Sequence, residues 1–296
     1  MIKPLQKNQR LLDDIRRSDL GVDQWRLWWL GQSGFLIKWN DRYCLLDPYL
    51  SDSLTKKYSS TDKPHIRMTE RVITPESLDF INVVTSSHNH TDHLDAETLI
   101  PLIHENPNLT LIIPEANRTF IENRLQGNAT RLVGLVDGSE VEVDGFRFTG
   151  IPSAHEDLEV DQQGRHYYMG YVICFGEWCF YHSGDTLLFD GLIERLRCHK
   201  IDVSLLPING RNPKRRVAGN LDGRQAARLA KEAGTRIVVP CHYDMFTFNT
   251  ASPVAFIAEC KQLNQTHYVM QNGEGISSDS FDLWSMKTYS DSLLRQ

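Results

Sequence analysis

The 296-residue sequence contains no apolar run approaching the roughly 18 residues that a membrane-spanning helix requires. It has no internal repeat, no low-complexity tract and no Pro/Gly/Ser-rich linker, so repeat arrays are excluded and one domain over residues 1–296 is expected. Positive charge is scarce: 32 Lys and Arg face 38 Asp and Glu, a net charge of −6, and no global field favours nucleic acid. The one local departure is Arg211-Asn212-Pro213-Lys214-Arg215-Arg216. The six cysteines (Cys44, Cys174, Cys179, Cys198, Cys241 and Cys260) form no CxxC pair and no dense secreted pattern, and are read as buried thiols of a reducing compartment. The polar, charged start Met1 to Arg17 has no apolar h-region, which with the cysteine usage points to a cytoplasmic protein.

What is present is a dense run of metal-binding chemistry, His88-Asn89-His90-Thr91-Asp92-His93. Divalent first-row ions are held by neutral imidazole nitrogen and carboxylate oxygen at about 2.0–2.2 Å, so ligands must converge from several directions. On a helix His88 and His90 would point to nearly opposite sides, whereas a strand end running into a loop presents them together. Residues 80–86, Phe-Ile-Asn-Val-Val-Thr-Ser, read as that buried strand, and Asp95 reads as the cap of a following helix with Glu97 in its first turn.

Around this junction, residues 5–20 suit a short peripheral amphipathic helix. Short strands follow at Arg26 to Leu30, Phe35 to Trp39 and Tyr43 to Leu46, then helices at about 94–106 and 115–126 with a strand from Leu109 to Ile113 between them. Strands return in bulk between Arg131 and Tyr181, and the last third alternates: helix 187–198, strand 202–206, helix 221–233, strand 236–240, helix 253–263, strand 267–270. Early strands and late interleaved helices predict a layered α/β fold.

Four ligands cannot close two metal sites, so further donors are expected at later strand ends. His155 follows Phe146 to Pro152, Asp185 follows Cys179-Phe-Tyr-His-Ser-Gly, and His242 follows Ile237-Val-Val-Pro-Cys. With these residues in this order, residues 25–275 resemble the metallo-β-lactamase superfamily, which implies a four-layer αββα sandwich with a metal site at one edge. Residue by residue, the resemblance implies one ion held by His88, His90 and His155, a second by Asp92, His93 and His242, and Asp185 bridging both. Asp47, in Leu45-Leu46-Asp47-Pro48, would support the site from behind. His182 is expected to pack or hydrogen-bond, and His199 to end a helix.

Within the superfamily, Trp28-Trp29-Leu30-Gly31-Gln32-Ser33-Gly34, Tyr181 to Asp185, Asn209 to Pro213 and Val239 to Asp244 resemble the L-ascorbate-6-phosphate lactonase group. That likeness implies two divalent ions, manganese (Mn2+) or zinc (Zn2+), and a lactone of a phosphorylated sugar acid opened by water activated between the ions, with Asp92 and Asp185 as catalytic carboxylates. Asn209, Arg211 and Asn212 are the expected phosphate contacts, and a metal-bound water, Tyr243 or Asp244 the candidate proton donors, among which the sequence does not choose. The alternative is a phosphodiesterase resembling N-acylphosphatidylethanolamine-hydrolysing phospholipase D, whose motif Ser87 to Asp95 matches closely. The expected partner is a small-molecule substrate, phosphorylated or not, with no nucleic acid and no membrane, and homo-oligomerisation is left open.

Overall fold

Alternating apolar side chains let one sheet feed two cores, and the computed structural model, which describes residues 1–128 and 131–280, shows this directly. Residues 129–130 and 281–296 of the single-domain expectation lie outside the described residues. The first sheet begins as an antiparallel meander of β1 (Trp25–Gly31), β2 (Gly34–Trp39) and β3 (Arg42–Leu46). It continues in parallel through β4 (Val83–Thr85), β5 (Thr110–Pro114) and β6 (Leu132–Leu135). The second sheet pairs β7 (Glu140–Val143), β8 (Phe146–Pro152), β9 (Met169–Phe175) and β10 (Trp178–His182) antiparallel, then adds β11 (Val203–Pro207) and β12 (Ile237–Cys241) in parallel.

Trp25, Leu27, Trp29, Phe35 and Ile37 of the first sheet join Phe148, Tyr171, Ile173 and Phe180 of the second in one inter-sheet core. Their neighbours Trp28, Leu30, Leu36 and Leu45 turn to the other face, where they pack with Leu11, Leu12 and Ile15 of α1 (Asn8–Arg17) and Leu99, Leu102 and Ile103 of α3 (Ala96–Glu105). The period-two pattern thus sends adjacent residues to opposite layers. On the far side Ala226, Ala227, Leu229 and Ala230 of α6 (Gly223–Ala233) join the inter-sheet core's cluster, and Asp222 and Gln225 close its start with a reciprocal capping box. The result is the αββα layering. Shorter helices are α2 (Ser53–Lys57), α4 (Arg118–Arg124), α5 (Leu192–Arg197) and α7 (Val254–Gln262). No helix among the described residues is long and apolar enough to cross a membrane.

Several expected elements differ. The helix expected over 187–198 is confined to Leu192–Arg197, because Gly191 takes the left-handed conformation at φ +91° and starts it afresh. The N-terminal helix spans only Asn8–Arg17, and 115–126 divides into a single 3-10 turn at Glu115–Asn117 followed by α4. Residues 267–270 make one isolated bridge, His267 with Val238, and not a strand. The edge strand is instead β13 (Gly275–Ser277), paired antiparallel with β1. The expectation of six thiols is also corrected: Cys174 and Cys179 face each other across the β9–β10 hairpin and form a disulfide, and Cys198 is exposed.

Candidate metal centre

The donors arrive from the carboxyl ends of several strands. His88 to His93 follow β4 and precede α3, whose cap Asp95 accepts from Glu97 N and from Thr98 Oγ1. His155 follows β8, Asp185 follows β10 and His242 follows β12, and the parallel register of β10, β11 and β12 keeps the last two at one edge. The turn carrying Asp185 requires glycine at 184: φ is +58°, and a Cβ there would stand 2.5 Å from Ser87 Cβ.

Seven side chains meet in three overlapping sets. The donor atoms of His88, His90 and His155 lie within 4.8 Å of one another, as do those of His88, His93 and Asp185, and those of Asp92, His93 and His242. Asp185 Oδ2 lies 3.7 Å from His155 Nε2 and 3.4 Å from His242 Nε2, so it reaches both ends of the cluster. Asp92 Oδ2 stands 3.6 Å from His93 Nε2 and 3.5 Å from His242 Nε2.

The ring nitrogens that face away are held. His93 Nδ1 lies 2.7 Å from Asp47 Oδ2, and His155 Nδ1 lies 2.9 Å from the Gly219 carbonyl, contacts that turn each Nε2 into the cluster. Asp47 is fully buried, takes the left-handed conformation at φ +37°, and its Oδ1 accepts from Thr85 Oγ1 and Ser87 N at 2.8 and 3.0 Å. By contrast His88 Nε2, His93 Nε2 and Asp185 Oδ1 are buried with no hydrogen-bond partner among the described residues, the last two facing each other at 3.3 Å. Orphaned buried donors and acceptors are costly, and a cation at their meeting point would satisfy all three. The residues therefore fit a metal.

Charge in the cluster is polarised. Burial and the neighbouring imidazoles His93 and His90 push His88 well below the ordinary histidine value, and burial with His155 pushes His90 down to about 4. Burial also opposes charge on His93 and His242, but the Asp185 and Asp92 carboxylates outweigh it, holding His93 well above its usual value and His242 at about 9. Burial would raise Asp92 and Asp185, yet the facing imidazoles hold both well below the carboxylate range.

Residues 42–243 match the model of the beta-lactamase superfamily domain. The chain belongs to the metallo-β-lactamase superfamily. It is similar to a metal-dependent hydrolase of Methanosarcina mazei, 25% identical over 265 residues, which are 85% of this chain and 97% of the relative. A metal-dependent hydrolase of Alkaliphilus metalliredigens is 28% identical over 258 residues, 82% of this chain and 95% of that one. The crystal structure of the metallo-beta-lactamase fold protein YhfI from Bacillus subtilis shares the fold, with a TM-score of 0.63 at 17% identity over 86% of this chain and 100% of that one.

Of the seven donors, His90, Asp92, His155, Asp185 and His242 line a cleft of about 400 Å³, while His88 and His93 are fully buried. None of the five residues expected to bind substrate lines it. Asn209 and Arg211 line a separate cleft, where Arg211 pairs with Glu156 Oε2 at 2.5 Å, and Asn212 caps a turn by accepting from Lys214 N. Tyr243 is buried and its hydroxyl donates to the Met270 carbonyl, which removes it as a proton donor at the cleft. Asp244 is half-buried, and burial raises its carboxyl. His182 Nε2 lies 3.0 Å from the Ser33 carbonyl, as a packing role implies.

Sequence reasoning missed Lys57, Lys63, His65 and Arg124, all on the cleft wall, and weighed Arg216 as surface although it lines the cleft. It also missed the part played by Gln32, whose amide nitrogen donates to Asp92 Oδ2 at 2.8 Å and lies 2.9 Å from His242 Nε2. The lysines and Arg124 left no sequence signal, since scattered cations are ordinary on any surface. Gln32 did have one, because it falls inside the lactonase-like stretch Trp28 to Gly34.

Proposed function

We propose that the protein is a metal-dependent hydrolase that opens a lactone, that of a phosphorylated sugar acid. The observation that carries this reading is the set of seven converging donors, five of them lining one cleft, with His88 Nε2, His93 Nε2 and Asp185 Oδ1 buried and unpartnered among the described residues. Relatives named metal-dependent hydrolases support the reaction class, and the stretches resembling the ascorbate-phosphate lactonase group support the lactone. A cleft of about 400 Å³ suits a small molecule.

His88, His90 and His155 would hold one divalent ion and Asp92, His93 and His242 a second, with Asp185 placed to touch both. When bound, Mn2+ or Zn2+ supplies Lewis-acid polarisation of the carbonyl and acidifies water at neutral pH. The chain supplies orientation. Asp47 and the Gly219 carbonyl fix the His93 and His155 rings, and Gln32 fixes the Asp92 carboxylate, so the donors are set before substrate arrives. Tyr243 is not placed to protonate the leaving alkoxide, since its hydroxyl is spent on the Met270 carbonyl.

A second reading, a phosphodiesterase, is favoured by the short motif Ser87 to Asp95. Assays of metal-depleted protein with Mn2+ or Zn2+ restored, on sugar lactones and on bis(p-nitrophenyl) phosphate, separate the two. Metal-dependent lactone opening supports the first reading. Turnover of the phosphodiester alone overturns it in favour of the second.

A further inference from the structure

The metal cleft has a one-sided charge distribution in a protein whose net charge is −6. Apart from Asp92 and Asp185, which belong to the donor cluster, its acidic and basic lining residues are all cations: Lys57, Lys63, Arg124 and Arg216. Arg216 is paired with Asp62. Among the described residues, the other three have no carboxylate partner.

What they do contact is neutral. Lys57 closes α2 and its Nζ donates to Thr91 Oγ1 at 3.3 Å. Lys63 Nζ donates to the Arg216 carbonyl. Arg124 closes α4, lies 4.5 Å over the Phe120 ring, and spends one guanidinium nitrogen, Nη1, on the Asn89 and Leu94 carbonyls at 2.6 and 3.3 Å. Among the described residues its Nη2 and Nε meet no acceptor and are left for another. A half-buried guanidinium with no directly paired carboxylate, only the more distant Asp95, is an unfavourable arrangement for a fold to keep, and acidic residues are plentiful enough in this chain to have paired with it.

We propose that Lys57, Lys63 and Arg124 form an anion subsite beside the metal donors that takes the phosphate monoester of the substrate. This rests on the hydrolase reading above and relocates the phosphate from Arg211, which Glu156 already neutralises. Three unpaired cations match a dianion better than a single carboxylate, and the planar Arg124 fork offers paired donors to phosphate oxygens. Thr91 and Asn89, the contacts of Lys57 and Arg124, lie within the His88 to His93 motif, so an anion held here stands next to the donors. The exposed Phe120 ring, which also lines the cleft, gives an apolar face for the carbon skeleton between phosphate and lactone.

The rival role for Arg124 is a brace for the motif loop, and the test separates the two. Calorimetry on the metal-loaded full chain measures the affinity of 6-phosphogluconate and of gluconate, which differ only in the phosphate, for the wild type, Lys57→Gln, Arg124→Gln and the double variant. The expected result is a preference for 6-phosphogluconate of about tenfold or more in the wild type, reduced several-fold in each single variant and abolished in the double, with gluconate affinity changed less than about twofold. Equal losses for both ligands, or no loss for either, overturn the proposal. Lys57→Gln guards against a folding artefact, because that side chain is exposed and holds no backbone carbonyl. Glucuronate, a carboxylate lacking phosphate, should bind no better than glucose; if it binds as tightly as 6-phosphogluconate, the subsite is not a phosphate subsite. Binding needs no turnover, so a chain that shows this pattern yet opens no lactone keeps the subsite and loses the lactonase reading.

Discussion

Two clefts of similar size, about 400 and 460 Å³, both carry arginine, and they differ in whether their charges are satisfied. In the cleft around Arg211, Arg211 is paired with Glu156, Asp222 caps α6, and Arg215 donates to the Asn209 and Gly210 carbonyls and to Asn249, with its buried Nε alone left without a partner among the described residues. In the metal cleft, and in His88 and His93 beside its lining donors, buried atoms stand without partners, and three lining cations lack a carboxylate among the described residues. A cleft whose charged groups are mostly matched by the chain contributes to the fold, whereas one that keeps several donors and cations open is organised around something the chain does not contain.

The sharpest way to break that comparison is to remove a donor from the open cleft. Asp185→Asn, which leaves the shape but weakens the one carboxylate reaching both ends of the cluster, should lower kcat by about a thousandfold or more and reduce bound metal. Steady-state kinetics with metal analysis checks both. Asp47→Asn touches no substrate but leaves His93 without its anionic partner, and metal affinity should fall about 10- to 100-fold, read by competition with a chromogenic chelator.

A smaller effect appears in the pH dependence of stability of the metal-free protein. His90 is held down to about 4 against an ordinary value near 6.5, so the unfolded chain takes up its proton first, and this contribution, full above pH 6.5, is lost as pH falls towards 4. His242 is held up to about 9, so its contribution is full below pH 6.5 and is lost as pH rises through 9. Melting temperature should therefore decline on both sides. Metal loading requires neutral imidazoles and should flatten the alkaline arm while steepening the acid one. The smallest effect is expected in the satisfied cleft: Arg211→Ala should leave KM for phosphorylated lactones within about twofold, because its charge is already committed and lies outside the metal cleft.

Chemistry made the donors legible in the sequence. Three histidines and an aspartate after an apolar run, with His155, Asp185 and His242 each just past another, can be read without coordinates because strand ends are where inward-facing ligands must lie. The layered α/β fold was legible in early strands followed by interleaved helices, and its αββα form only through the resemblance to the superfamily. Arg211 could not be placed from sequence: its partner Glu156 is remote in the chain and adjacent only in space. Lys57 and Arg124 became meaningful only when the cleft showed what they lack. The Cys174–Cys179 pairing depends on hairpin register, which a spacing of five residues does not fix. The exchange of an expected strand at 267–270 for Gly275–Ser277 has a similar origin, because a three-residue edge strand is set by its neighbour β1 and not by its own pattern.

The proposed function requires seven dispersed side chains to hold a pair of cations. A crystal structure of the metal-loaded protein, with ions located by anomalous scattering, tests it most directly. The account predicts two ions, one among His88, His90 and His155 and one among Asp92, His93 and His242, with Asp185 in contact with both. Ions bound elsewhere, or these donors left without any ion in a fully loaded sample, would contradict it.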